Sequence, residues 1–339
     1  AGLQVEKRDI SLAGRIIAMF PEILTDDQRQ SDDLAALGDW VKMPKANVIK
    51  LPNISASVPQ LKAAISELQA QGYALPDYPD TPKNPSEQSA RDRYDAVKGS
   101  AVNPLLREGN SDRRAARAVK NHAMQNPHKM GVWRADSSTH VVSMPAQDFV
   151  SNEISATVSD AQAGAFKILF INQQGQQTVL KDGLDIVAGT VVDASYMNVT
   201  ALRSFIKDQL ADAKAKGMLF SVHLKATMMK VADPIIFGHV VSVLLEDFIA
   251  KHETLLRDIE FNPNLGLSDL EQRIASLPAA QKSLLQSDLA QALADQPRLY
   301  MVDSDRGISN LHVSSDVIID ASMPALIRAG GRAWGPDGN

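Results

Sequence analysis

Lys98-Gly-Ser100-Ala-Val-Asn103-Pro-Leu-Leu-Arg107-Glu-Gly-Asn-Ser111-Asp-Arg113-Arg114 is the most chemically pointed stretch of the chain. It sets Ser100, Asn103 and three guanidinium groups around a loop and a predicted helix start, with Ser111 as the N-cap. Arginine forks meet carboxylates in bidentate geometry, and a helix N-terminus adds backbone donors of the same polarity. Such a surface suits a small, multiply charged anion: a di- or tricarboxylate, or a phosphate. The same residues also suit a solvated basic helix face, because Arg114, Arg117 and Lys120 continue the run. Spacing alone leaves both readings open.

Outward from this stretch the pattern alternates between strands and helices, which points to the α/β class. Asn47 to Leu51 reads as a short strand, and Leu61, Ile65 and Leu68 follow at helical spacing after Pro59. Pro76 to Pro85 holds four prolines in ten residues and predicts an irregular loop. Phe166–Ile171 and Thr178–Leu180 flank Asn172-Gln-Gln-Gly175, a hairpin signal. Ile186 to Val192 reads as a β-branched strand. Leu202, Phe205, Ile206 and Leu210 line one face of a helix ended by Gly217. A strand over Met218–Leu224, a helix over Pro234–His252, two helices within Leu267–Leu293 and a strand over Val313–Ile319 complete the reading. The predicted domain boundary lies in the loop before Ser111, with positions as late as 145 also defensible.

With 339 residues, 44% hydrophobic and 22% charged, the chain can bury a sizeable core, which excludes whole-chain disorder. It has no cysteine, so disulfide scaffolds, thiol nucleophiles, thiolate zinc sites and iron–sulfur clusters drop out together. The net charge of −5 argues against a dedicated partner among nucleic acids or anionic membranes. The most apolar run, Pro234 to Ala250, is interrupted by His239, Glu246 and Asp247 and reads as a buried helix. These features predict a soluble, cytoplasmic protein. There is no G-x-G-x-x-G after a strand, no Walker A sequence, no H-E-x-x-H and no G-x-S-x-G. Asp303-Ser-Asp305-Arg-Gly307 resembles the opening of a calcium loop, but Gly307 and Ser314 occupy ligand positions, so it reads as a turn. The seven histidines show no ligand spacing.

Two further clusters carry chemistry. Ser221-Val-His223-Leu-Lys225-Ala-Thr227-Met-Met-Lys230-Val-Ala-Asp233-Pro234 places Lys225 at the C-terminal end of an apolar strand, where open α/β sheets bind ligands. A lysine there, partly desolvated by methionines, suits proton transfer, and equally suits a structural role. Ser315-Asp316-Val-Ile-Ile-Asp320-Ala-Ser322 places Asp320 at the end of a β-branched strand, where its carboxylate suits a hard cation or a capping role.

Four segments resemble one family, the monomeric NADP-dependent isocitrate dehydrogenases of bacteria. They are Leu51-Pro-Asn53-Ile-Ser55-Ala-Ser57, Gly99 to Arg113, His223-Leu-Lys225-Ala-Thr-Met-Met-Lys230 and Val317-Ile-Ile-Asp320-Ala. The resemblance runs essentially end to end. It implies that Ser100, Asn103, Arg107 and Arg113 hold the carboxylates of isocitrate, with Asn103 also beside the nicotinamide. It implies that Asn53 and Ser55 contact NADP, that Lys225 assists proton transfer, and that Asp320 is one of the carboxylates around Mg²⁺ or Mn²⁺. The implied fold is isocitrate/isopropylmalate dehydrogenase-like and non-Rossmann, with two domains and the active site in the cleft between them. The missing glycine fingerprint is then expected. The implied organisation is 1–110 as the N-terminal part of a first, cofactor-side domain and 111–339 as the N-terminal part of a second, truncated one. The implied state is a monomer acting on a small molecule.

The resemblance also implies members about twice this length. The other metal aspartates, a tyrosine that protonates the enolate carbon, and a His/Arg set for the 2′-phosphate are absent here. The ending Gly335-Pro-Asp-Gly-Asn339 reads accordingly as a cut. Alternatives are a silent fragment needing a complementary chain, and a related β-decarboxylating dehydrogenase for another 2-hydroxy acid.

Overall fold

Ser11, Ser57 and Asn84 each open a helix, and the helices they start build the N-terminal core. In α1 (Leu12–Ala18) the Gly14 N–H donates to Ser11 Oγ at 3.0 Å. A short helix α2 (Asp33–Trp40) is capped by Asp32 and precedes β1 (Val48–Ile49). In α3 (Val58–Ala70) Ser57 and Gln60 form a reciprocal capping box, and Pro59 sits in the first turn, where a missing N–H does no harm. In α4 (Pro85–Val97) Asn84 Oδ1 accepts from the Glu87 N–H at 2.9 Å. Their apolar faces meet in a cluster of Ile16, Ile17, Phe20, Leu61, Ile65, Leu68, Tyr94 and Val97. The four-proline segment is irregular, as expected, and Tyr94 Oη donates to the Pro76 carbonyl across it at 2.6 Å.

The computed structural model describes residues 5–49, 55–100, 102, 111–112, 117–127, 129–225, 229, 231–314 and 318–338. It divides into two compact units, residues 1–140 with 210–339, and residues 141–209. Ser111 does not cap a helix. Ser111–Asp112 forms β2, a strand parallel to β1 with Val48 opposite Ser111, and the next helix, α5, spans Arg117–Gln125. Long-range pairing with β1 overrides the local helix-start signal.

The 141–209 unit holds two antiparallel pairs. β3 (Ile154–Thr157) pairs with β6 (Val191–Ala194), and β4 (Gly164–Ile171) with β5 (Gln177–Ile186) around the predicted Asn172–Gly175 turn. The strand expected over Ile186–Val192 is interrupted instead. Gly189 takes φ +83°, the Thr190 N–H closes a turn on Val187, and the backbone bonds back to Val158 at Gly189 and Thr190 before the β6 ladder begins at Val191. Helix α6 (Val199–Ala215) then buries Leu202, Ile206 and Leu210 and ends at Gly217 with φ +64°, as its periodicity predicts.

The remainder of the first unit is largely helical. The run expected as one helix over Pro234–His252 is broken into α7 (Ala232–Leu244) and α8 (Glu246–Lys251), because Leu245 leaves helical geometry at φ −107°, ψ 21°. A short α9 (Glu253–Asp258) precedes α10 (Leu267–Ala275) and α11 (Ala279–Ala294), the two helices predicted within Leu267–Leu293. Phe237, Leu244, Leu267, Leu270, Ile274 and Leu285 make this half's core. Asp303–Gly307 turns between β7 (Met301–Asp303) and β8 (Ile308–Ser309), so the false calcium loop is a hairpin turn. Met218–Leu224 forms no sheet strand. It makes single parallel bridges at Phe220 with Leu299 and at Leu224 with Ile318. Of the strand expected over Val313–Ile319, residues 315–317 lie outside the described residues; Ile318 makes that bridge and α12 (Ile319–Arg328) begins after it.

The fold is therefore mixed helix and strand, consistent with the expected class, and every sheet among the described residues has two strands. The boundary expected near residue 110 falls within the first unit. Among the described residues no helix is long and apolar enough to cross a membrane.

Candidate functional site

The end of α4 delivers the first cluster. Lys98 leaves the helix in extended geometry, and Gly99 takes φ +79°. Gly99 and Ala56 then exchange backbone hydrogen bonds, Gly99 N–H to Ala56 O at 2.8 Å and Ala56 N–H to Gly99 O at 3.3 Å. This bridge lays Ser55-Ala56-Ser57 alongside Gly99-Ser100, so two predicted site residues far apart in sequence, Ser55 and Ser100, flank one short ladder. Ser100 Oγ is shut off from solvent and has no hydrogen-bond partner among the described residues. A buried hydroxyl without a partner is costly in a resting fold, and it fits a site that supplies an acceptor only when ligand is present.

Polar contacts behind this turn hold it in place. Asp95 accepts from Tyr78 Oη at 2.9 Å and Arg91 Nε at 3.1 Å, and pairs with Lys98 Nζ at 3.0 Å. Burial works against the Asp95 carboxylate, yet donation from Lys98 and Tyr78 brings its pKa below the usual value. Arg15, only 3% exposed, donates Nη1 to the Val97 carbonyl at 3.1 Å, and its Nε and Nη2 have no partner among the described residues. Burial lowers its pKa.

The second and third clusters meet. The Leu224·Ile318 bridge, with Ile319 N–H to Leu224 O at 2.7 Å, sets the first turn of α12 beside residues 221–225. Lys225 Nζ forms an ion pair with the Asp320 carboxylate, joining residues 95 apart in sequence. Asp320 thus stands in a helical turn rather than at a strand end, and its side chain is 51% exposed. The Lys225 N–H donates to Asp233 Oδ2, on the first turn of α7, at 2.5 Å. Burial raises the pKa of Asp233, partly offset by that bond.

His223 is bonded on both ring nitrogens, Nε2 to Ser221 Oγ at 2.6 Å and Nδ1 to Ser322 Oγ at 2.7 Å. Burial pushes its pKa down. Neither His223 nor Asp233 carries a role in the sequence reading. The Asp-Pro pair at the helix start was the one local signal for Asp233, and nothing local signals the partner of His223.

A cavity of about 300 Å³ touches the flanks of all three clusters, being lined by Ser57, Lys98, Val231, Pro234 and Ser314 among others. A larger cleft of about 660 Å³ lies along Phe20, Glu22, Lys83, Arg93 and Glu260, and none of the sequence-predicted residues lines it. Four of its charged residues are paired, Arg93 with Glu22 and Lys83 with Glu260.

Asn53, Asn103, Arg107 and Arg113 lie outside the described residues. Among the described residues no group of three His, Asp or Glu side chains gathers to hold a metal ion. Asp320 fits as one hard-oxygen ligand, with carboxylate surface open to solvent, and a full coordination sphere needs further oxygens.

The family described as "Monomeric isocitrate dehydrogenase" matches residues 1–339. The chain is 56% identical over 338 residues to "Isocitrate dehydrogenase [NADP]" of Azotobacter vinelandii, a match covering 100% of this chain and 45% of that protein. It is 53% identical over 337 residues to the protein of the same name from Corynebacterium glutamicum, covering 99% and 45%. It is 51% identical over 338 residues to "Isocitrate dehydrogenase [NADP] 2" of Mycobacterium tuberculosis, covering 100% and 45%. The chain spans about half the length of these curated relatives, 45% of each. With a family match across residues 1–339, this chain belongs to the monomeric isocitrate dehydrogenases.

Proposed function

We propose that this chain is part of an NADP-dependent isocitrate dehydrogenase that converts isocitrate to 2-oxoglutarate and CO₂. The observation that carries the reading is the meeting of Lys225 and Asp320 across 95 residues, within a family match that covers the chain. The relatives' names support NADP as the hydride acceptor. The whole enzyme is proposed to be a cytoplasmic monomer with a small-molecule substrate. Its active site is proposed to lie in a cleft between two non-Rossmann domains, to which 1–110 and 111–339 contribute their N-terminal parts.

The chemistry requires three things of these residues. A tricarboxylate must be held with C2 facing the nicotinamide, the task assigned to Ser100, Asn103, Arg107 and Arg113. Orientation of that kind accounts for much of a dehydrogenase's rate. Ser100 brings a buried hydroxyl that has no partner among the described residues, and a hydroxyl donor matches a carboxylate oxygen. Asn53, Ser55 and Asn103 are assigned to the cofactor, and the Ala56·Gly99 bridge sets Ser55 next to the substrate strand. The 2-hydroxyl must lose its proton as hydride leaves C2, and the Lys225 amine is the group assigned to hold and pass that proton. Asp320 would be one of the residues that hold Mg²⁺ or Mn²⁺, a group that would supply positive charge to offset the anionic oxygen formed in the reaction.

The test is Lys225→Met in the full-length protein. Loss of a proton-transfer group lowers kcat by about 10²–10⁴-fold while isocitrate still binds. A kcat within a few-fold of the parent overturns the assignment.

A further inference from the structure

The site described above leaves His223 without a function, although both its ring nitrogens are engaged. Hydrogen bookkeeping fixes the direction of each bond. Ser322 Oγ donates its one hydrogen to the Ile318 carbonyl at 2.9 Å. Towards His223 it therefore accepts, and the proton sits on Nδ1. Nε2 is then unprotonated and accepts from Ser221 Oγ. The result is a one-way chain, Ser221 to His223 to Ser322 to Ile318. It runs from the segment that carries Lys225 into the helical turn that carries Asp320.

Among the described residues, the Leu224·Ile318 bridge, with Ile319 N–H to Leu224 O, and the Lys225–Asp320 ion pair also join those two pieces. Both lie before Ser322 in the helix. The His223–Ser322 bond adds an attachment on the C-terminal side of Asp320. The segment itself is anchored independently of α12. Asn310 Nδ2 donates to Val222 O at 3.0 Å, and Phe220 pairs with the backbone at Arg298 and Tyr300. His223 thus links a fixed segment to the helical turn that carries Asp320, beyond that residue in the chain.

We infer that His223 is a positioning residue: through its Nδ1–H bond to Ser322 it sets where the Asp320 carboxylate stands relative to Lys225. The inference rests on the proposed role of Asp320 as a metal ligand. Bonded partners behind a ligand commonly change metal affinity by about 10–100-fold when removed.

The decisive comparison uses the full-length protein and four variants, with Mn²⁺ affinity measured by electron paramagnetic resonance titration without isocitrate or NADP. In His223→Asn the side-chain amide stands where Nδ1 stood and keeps the bond to Ser322. In His223→Gln the amide reaches the Nε2 position and keeps only Ser221. Ser322→Ala removes the acceptor directly and serves if His223→Gln fails to fold. His223→Gln and Ser322→Ala are expected to weaken Mn²⁺ binding about tenfold, and His223→Asn to stay within about threefold of the parent. Parental affinity in His223→Gln and Ser322→Ala overturns the inference, as does a loss in His223→Asn equal to that in His223→Gln. Asp320→Asn separates the two levels. If it weakens Mn²⁺ binding while His223→Gln does not, the positioning role alone falls. If it binds Mn²⁺ like the parent, the ligand role of Asp320 falls and the inference with it.

Discussion

The helical cluster of α1, α3 and α4 and the strand pairs of residues 141–209 use similar apolar residues to opposite ends. Leu61, Ile16 and Tyr94 are completely buried, whereas Phe170 is 54% and Ile171 57% exposed in a strand of eight residues. In the helices, apolar side chains recur every third or fourth position and share one face. In β4 they occur in succession, so both faces of the two-stranded ribbon carry them and neither is covered among the described residues. The contrast separates what holds each region. Burial holds the first, and backbone pairing with cross-strand contacts holds the second. The turn that carries Ser100 grows from the buried region.

The sharpest way to break this contrast is Tyr94→Ala. Tyr94 packs on Phe20 with ring centroids 4.8 Å apart and is 0% exposed. Its truncation should cost about 3–5 kcal/mol in denaturant unfolding, because it leaves a cavity and an unsatisfied Pro76 carbonyl. A loss below about 1 kcal/mol means that the cluster does not carry stability as its packing implies. Gly266→Ala comes next. Gly266 takes φ +92°, and a Cβ there would stand 2.3 Å from the His312 carbonyl oxygen. Strain and displacement together predict about 2–3 kcal/mol, measured by the same unfolding experiment.

How much was legible beforehand follows the same division. Periodicity located α3, α6, α10 and α11, because helices that bury one face write it into the spacing of their leucines and isoleucines. It failed at Ser111 and at Ile186–Val192. Strand pairing is decided by partners far along the chain, such as Val48 for Ser111 and Leu224 for Ile318. The site divides likewise. Lys225 and Asp320 were each named from chemistry and resemblance, but their ion pair depends on a bridge between residues 94 apart that no window of sequence contains. The same holds for the link between His223 and Ser322.

A third measurement sharpens the role of charge behind the Ser100 turn. The pKa of Asp95 lies below its ordinary value because Lys98 and Tyr78 donate to the carboxylate, outweighing the opposing effect of burial. A group with a depressed folded pKa contributes stability that is present above its unfolded value, about 3.9, and lost as pH falls through the folded one. Asp95→Asn should therefore be less stable than the parent near neutral pH, with the gap closing as acid protonates Asp95. A gap that is constant with pH rules out the charged pairing as the cause.

The smallest effect is predicted on the other side of the contrast. Phe170 lies opposite Thr178 in the β4·β5 ladder and is more than half exposed. Removing its ring should lose cross-strand contact without opening a cavity, so Phe170→Ala in the 339-residue chain is expected to change stability by less than about 1 kcal/mol. Hydrogen exchange of the Phe170 amide gives a second reading, since ladder bonds at a solvent-exposed ribbon open more readily than those beneath a core. A loss above about 2 kcal/mol would be the cost of burial rather than of pairing. It would place Phe170 in the same energetic class as Leu61 and erase the distinction between the two regions.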